Sequence, residues 1–193
     1  MIYSVIINEK GVFLEMINWT VPFLLGLFAS LLIDLLRRFQ KNKRNKKFIS
    51  TYLKESILPA LDELELSYKK IKDRIISHSE EETKMLVFEG FNINVFNGIE
   101  SVEYYETFKK DYIILNEIIT IIDFLSKNLP LQINHKFDDF INQHLIEKGL
   151  IGDKNHIKTC AVCIAKQNYY VSILGYRIDE VVELREKIKT LIK

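Results

Sequence analysis

Eighteen consecutive residues, Met16 to Ile33, carry no charge. They read Met-Ile-Asn-Trp-Thr-Val-Pro-Phe-Leu-Leu-Gly-Leu-Phe-Ala-Ser-Leu-Leu-Ile; Asp34 interrupts, Leu35 and Leu36 follow, and Arg37 opens a basic run. A helix that crosses about 30 Å of hydrocarbon needs roughly 20 residues at about 1.5 Å each. Residues 16–36 meet that length. Trp19 falls at one end, where an indole suits the headgroup layer. Pro22 is expected in the first turns of the helix, where its missing N–H matters least. Residues 21–33 are apolar on nearly every face, which leaves no polar side for a surface-lying amphipathic helix. A secretory leader would carry its cations before the apolar stretch and a small-residue cleavage site after it; here the cations follow.

Those cations are Arg37, Arg38, Lys41, Lys43, Arg44, Lys46 and Lys47, seven in eleven positions. The first 15 residues hold only Glu9, Lys10 and Glu15 as charges. The positive-inside rule then predicts an extracytoplasmic N-terminus and a cytoplasmic remainder, in a bacterial inner membrane or a plasma membrane. Trp19 and the seven cations are the residues expected to set orientation and to meet anionic lipid. Such a flank also excludes a buried core helix. Nucleic-acid binding is disfavoured: the run has no aromatic platform beyond Phe39 and Phe48.

Within the span, Gly26 and Ser30 form a small-xxx-small pair that permits close approach of a second helix. Asp34 is costly in hydrocarbon, yet it lies one turn from Arg37 and Arg38, where a local ion pair is the ordinary outcome. Gly26, Ser30 and Asp34 are the candidates for association within the membrane. Asn18-Trp19-Thr20 fits the glycosylation sequon, but at the membrane face the match reads as accidental.

Residues 48–193 contain 19 Lys and Arg against 23 Asp and Glu. A mildly acidic body beside a basic stem is not the footprint of a DNA-binding domain. Ile, Lys and Asn together make up 62 of 193 residues, as expected of an AT-rich bacterial coding sequence, so single Lys clusters carry little weight. Helical periodicity dominates. Ile57, Leu61, Leu64, Tyr68, Ile71 and Ile75 form a heptad-like row, with Pro59 expected to kink the helix or mark its start. Tyr105, Phe108, Tyr112, Leu115, Ile119 and Ile122 form a second row, widened by Ile113, Ile114, Ile118 and Ile121, as for a central helix. It should stop near Asn128-Leu129-Pro130. A shorter helix follows, capped by Asn134, lined by Phe137, Phe140, Ile141 and Leu145, and ended by Gly149. The last helix should run from near Asp153 or Asn155 to the C-terminus, weakened in the middle by Gly175, with Ile157, Ala161, Ile164, Val171, Leu174, Ile178, Val181, Leu184 and Ile188 on its apolar face. Between the first two rows, Leu86 to Ser101 reads as a loop and then a short helix. Tyr3–Ile7 and Val12–Leu14 could form a weak hairpin, too short to stand alone.

The expected fold is all-α: a single N-terminal transmembrane helix followed by a cytoplasmic bundle of about four helices. The expected organisation is 1–15 as a short extracytoplasmic segment, 16–36 as the span, 37–48 as a basic stem and 49–193 as the helical domain.

Chemistry is sparse. Cys160-Ala-Val-Cys163 is a CxxC, with His156 four residues before it and His144 and His135 further back across a turn. Zinc sites usually need two such pairs, or one pair and two histidines. A redox CxxC normally opens a helix after a strand. Packing as small hydrophobes in a helical stripe is the plainer reading, so no metal or other cofactor is expected, and His156, Cys160 and Cys163 are only weak metal candidates. His78, followed by Glu80, Glu81 and Glu82, reads as a solvated loop. There is no HExxH, no glycine-rich phosphate loop and no nucleophile elbow. Tyr104, Tyr105, Tyr112, Tyr169, Tyr170, Tyr176 and Arg177 would suit a groove, or simply bridge core and solvent.

The expectation is therefore a non-enzymatic, single-pass membrane protein whose cytoplasmic helices bind a protein partner or a second copy. The alternative is a membrane-disrupting effector, toxin-like or of antiphage defence, in which a trigger received by the helical domain clusters the anchors.

Overall fold

The computed structural model describes residues 2–77, 88, 90–92, 94–97 and 101–192, without the side chains of residues 2–19, 94, 97, 101 and 154. Eight α-helices are present among the described residues, and no strand: α1 (Ile2–Tyr52), α2 (Leu58–Ser77), α3 (Asn94–Asn97), α4 (Ser101–Phe108), α5 (Tyr112–Ser126), α6 (Pro130–Glu147), α7 (Lys154–Thr159) and α8 (Ala161–Leu191). The chain divides into two compact units, Met1–Asn45 and Lys46–Lys193.

The first unit is helical from Ile2 onward. The hairpin expected at residues 3–14 is therefore corrected to helix. Two strands of that length have no third strand to pair with, whereas a helix satisfies its backbone groups from its own sequence. Pro22 is likewise an interior residue of α1 and not a first-turn residue. Its ring removes the bond to the carbonyl four residues back, at a position where α1 continues on both sides. From Val21 to Leu36 the large apolar side chains are all exposed. This is a helix long and apolar enough to cross a membrane, by length and composition.

The second unit begins with the last turns of α1. Ile49 and Leu53 are fully buried, and the row continues through Ile57, Leu61, Leu64, Tyr68, Ile71 and Ile75, none more than 2% exposed. Pro59 is the second residue of α2. Leu53–Ile57 forms a π-turn, closed by the Leu58 N–H on the Leu53 carbonyl, and α2 follows directly. Two physical demands meet there. Proline cannot donate to the carbonyl four residues back and its ring crowds that carbonyl, so a wider turn relieves it. The row at 49, 53, 57 and 61 also steps by four each time, which would drift around a helix of 3.6 residues per turn. The extra residue held in the π-turn keeps those side chains on one face.

This face packs along α8, which supplies Cys163, Tyr170, Leu174, Val181, Leu184, Ile188 and Leu191 to the core. α6 packs against both α2 and α8, and α5 against α8. The result is a four-helix bundle of α2, α5, α6 and α8. Gly175 lies where α8 faces α2; a Cβ there would meet Lys72 Nζ at 3.8 Å. Polar ties fix the helices in register. Tyr68, wholly buried, donates its hydroxyl to the Asn128 carbonyl at 2.7 Å. Gln167 of α8 donates to the Ile75 and Ile76 carbonyls at 2.9 and 3.2 Å, in the last turn of α2. Arg185 reaches both Asp62 at 2.7 Å and Glu65 at 2.6 Å.

Three expectations about individual helices are corrected. The second row is broken by Lys109, whose φ of 46° sets α4 at an angle to α5 through a short 3-10 turn, Lys109–Asp111. The buried residues are consequently Tyr104, Phe108, Leu115, Ile118, Ile122 and Leu125, while Tyr105 and Ile113 are exposed. Asn134 does not cap α6. The helix starts at Pro130, and Asn134 is an interior, buried residue that accepts from Arg74 Nη1 and donates to Asp138 Oδ2 at 3.0 Å. The last helix is not continuous: α7 ends at Thr159, Cys160 is extended with ψ of 121°, and α8 starts at Ala161. Asp153 caps α7, accepting from the Asn155 and His156 amides at 2.9 and 3.2 Å.

Candidate functional site

The chemically distinctive place in the second unit is the corner where α6 turns into α7 and α8. α6 ends in a Schellman motif: Gly149 has φ of 68°, its amide donates to the Ile146 carbonyl at 3.0 Å, and the Leu150 amide donates to Leu145 at 2.9 Å. Gly152 has φ of 81°. These two left-handed residues reverse the chain within a few positions, a conformation glycine adopts at no steric cost. The reversal lays His144, in the last turn of α6, beside His156 of α7. The break at Cys160 then places both cysteines at the start of α8.

As a result His144, His156, Cys160 and Cys163 converge, their ligating atoms all within 4.8 Å of one another. His144 Nε2 lies 3.4 Å from His156 Nε2 and 3.4 Å from Cys160 Sγ. The two imidazoles are stacked, 5.6 Å between centroids, and Phe140 also stacks on His144 at 6.1 Å. Cys163 is buried; the other three are half-buried. The Cys160 sulfur accepts from the Cys163 amide, which lowers its pKa, with further help from the Val162 amide, the Cys163 side chain and the charge of Lys148. Burial, and the neighbouring Cys160, push the Cys163 thiol up. The two cysteines are thus inequivalent, one the acceptor and the other the donor.

The sequence pattern brings His156, Cys160 and Cys163 together, with both cysteines in a helical stripe. The stripe reading holds for Cys163 but not for Cys160, which sits at a helix junction. The fourth member is His144, which the sequence places further back across a turn and outside the weak metal candidates. Its signal was the run His144-x11-His156-x3-Cys160-x2-Cys163 with two glycines in the intervening turn. His135 lies elsewhere on α6 and is exposed. His78 and Glu80 to Glu82 lie outside the described residues.

The membrane-directed candidates are placed as follows. Arg37, Arg38, Lys41, Lys43, Arg44 and Lys47 are exposed, and the Trp19 side chain lies outside the description. Lys46 is engaged within the second unit, 3.9 Å from Asp111 and 5.8 Å from the Phe108 ring centroid. Asp34 lies 4.0 Å from Arg37, the local pair expected one turn apart. Gly26, Ser30 and Asp34 recur every four residues on an exposed helix, and nothing lies within 4 Å of where a Gly26 Cβ would be.

The tyrosines do not form one groove. Tyr104 is buried, with its hydroxyl on the Phe96 carbonyl at 2.7 Å and its pKa raised to about 12 by burial. Tyr105 meets Tyr112 edge-on, and Tyr169 meets Tyr170 likewise. Tyr176 and Arg177 line a shallow, open depression of about 490 Å³ with Ile173, Asp179, Glu180 and Glu183. No protein-family model, curated protein or solved structure matches this chain.

Proposed function

We propose that this is a single-pass membrane protein whose cytoplasmic helical bundle binds a protein partner or a second copy of itself. The observation that carries the reading is the surface of α1 from Val21 to Leu36. Its large apolar side chains are all exposed, and seven cations follow directly. That much contiguous apolar surface is unfavourable in water and favourable in hydrocarbon. Residues 16–36 form the span. The 37–48 stem rests on the cytoplasmic face, each cation gaining about 1 kcal/mol near anionic headgroups. The helical domain follows in the cytoplasm. Tethering in a membrane concentrates the bundles, so weak contacts between them or with one partner become effective.

The test is alkaline carbonate extraction of membranes from expressing cells, followed by protease digestion of right-side-out and inverted vesicles. The full-length chain stays in the pellet, and the bundle is cut only in inverted vesicles. Release by carbonate refutes the span, and cutting in right-side-out vesicles refutes the orientation. Crosslinking and light scattering in mild detergent then reveal a discrete oligomer or a dominant partner. A monomer without partners removes the interaction reading.

The recurrence of Gly26, Ser30 and Asp34 on one exposed helix face favours a second reading, in which clustered anchors make the membrane leak. That effector depolarises cells on induction, and Gly26→Leu relieves it. An intact membrane potential at high expression, with the trigger present, counts against it.

A further inference from the structure

We infer that His144, His156, Cys160 and Cys163 form a structural zinc site of the Cys2His2 type, stapling the end of α6, the short α7 and the start of α8. Three observations carry this. The first is geometry. Ligands on a tetrahedral ion are separated by about 1.63 times the metal–ligand distance. Zn–N of about 2.0–2.1 Å and Zn–S of about 2.3 Å therefore require roughly 3.3 Å between nitrogens and 3.5 Å between nitrogen and sulfur. The His144 to His156 and His144 to Cys160 separations are both 3.4 Å. The remaining donor pairs all lie within 4.8 Å, and small side-chain rotations bring them to the roughly 3.3–3.8 Å spacings of a tetrahedral ion.

The second observation is that the two imidazoles turn the same atom, Nε2, toward each other at 3.4 Å. That separation matches the roughly 3.3 Å expected between two nitrogens on one tetrahedral ion. The third is the balance of charge. Two thiolates and two neutral imidazoles around a divalent cation sum to zero, which suits a half-buried corner holding a fully buried sulfur. Four protein donors close the tetrahedron and leave no position for a substrate, so the site is structural. Its role is clear from α7, a six-residue helix that has Ile157 as its main apolar contribution to the core.

The experiment uses the full-length chain purified in mild detergent, without chelator and with a non-thiol reductant. Elemental analysis should find one zinc per chain. Cys160→Ser and His144→Ala should weaken zinc binding by more than about 100-fold, beyond the loss typical of outer-shell changes, whereas His135→Ala on the same helix should retain the metal. Because a ligand variant can lose metal by misfolding, the unmutated protein is also stripped, reduced and titrated with cobalt. Strong visible bands of tetrahedral cobalt with thiolate charge transfer, abolished by added zinc, are expected. A reduced wild-type chain that takes up neither metal overturns the proposal. So does an octahedral cobalt spectrum without thiolate bands, or a Cys160→Ser chain that holds zinc as tightly as wild type. A chain isolated with a Cys160–Cys163 disulfide that binds no metal after reduction replaces it with a redox pair.

Discussion

Replacing glycine by alanine should have opposite effects at two positions of this fold. Gly149 has φ of 68° and nothing within 4 Å of a built Cβ. The penalty for alanine there is conformational and not steric, about 1–2 kcal/mol for an L-residue in the left-handed region. Reduced freedom of the unfolded chain returns about 0.4–1 kcal/mol, so Gly149→Ala should destabilise by about 1 kcal/mol. Gly175 lies inside α8, and its built Cβ meets only the flexible end of Lys72 at 3.8 Å, an ordinary contact. Alanine there removes the entropic weakness of a mid-helix glycine, and Gly175→Ala should stabilise by about 0.5–1 kcal/mol. For a unit of this size each kcal/mol moves the midpoint by about 2–4 °C. Thermal and urea unfolding of the full chain in detergent, followed by far-UV circular dichroism at fixed metal occupancy, reads both. Gly149→Asn serves as the internal check, since asparagine tolerates the left-handed region and should lose less than alanine. Two alanine variants that shift stability in the same direction would refute the reasoning, because the chemical change is identical and only the backbone setting differs.

Other outcomes follow from the core and its ties. Leu64→Ala, at a fully buried position, should lower stability by about 2–5 kcal/mol in urea unfolding. Tyr68→Phe keeps the ring and removes only the bond to Asn128, so its loss should be about 0.5–1.5 kcal/mol, well short of the leucine variant. Glu65 is held below the ordinary carboxylate range by hydrogen bonds from Lys69 first and Arg185 second. Its stabilisation is therefore complete above the unfolded carboxylate pKa and is lost as pH falls through the lower folded value. Glu65→Gln should lose about 1–3 kcal/mol at neutral pH and show a flatter acid limb in a pH series of urea midpoints.

How far the sequence could be read depended on whether each signal was local. The α2 row was legible because its apolar side chains recur at alternating steps of three and four, and all six expected residues are buried. The end of α6 at Gly149 was legible for the same reason: a left-handed cap is a one-residue event. The break at Lys109 was not, since a lysine with positive φ carries no compositional mark, and it moved burial from Tyr105 to Tyr104. Asn134 looked like a cap because asparagine favours that position, but a partner 60 residues away, Arg74, drew it into the core. The corner site depended on two turns at once. CxxC and His156 were visible as neighbours in sequence, while His144 reaches them only through the reversal at Gly149 and Gly152. Residues 3–14 alternate well enough to suggest strands, yet no sheet exists for them to join among the described residues.

The π-turn at Leu53–Ile57 has the character of a single inserted residue, and this gives the chain an unusual tolerance. Deleting one position from 54–56 changes the row from Ile49 to Ile75 into an unbroken alternation of four and three, the phase of a regular heptad. Pro59 would then lie in an ordinary α-helical interior, so the deletion should be accepted when paired with Pro59→Ala. The same deletion between Leu64 and Tyr68 swings every later side chain by about 100° around the axis and turns Tyr68, Ile71 and Ile75 out of the core. One short stretch of this helix can therefore lose a residue and keep its face, while the next cannot.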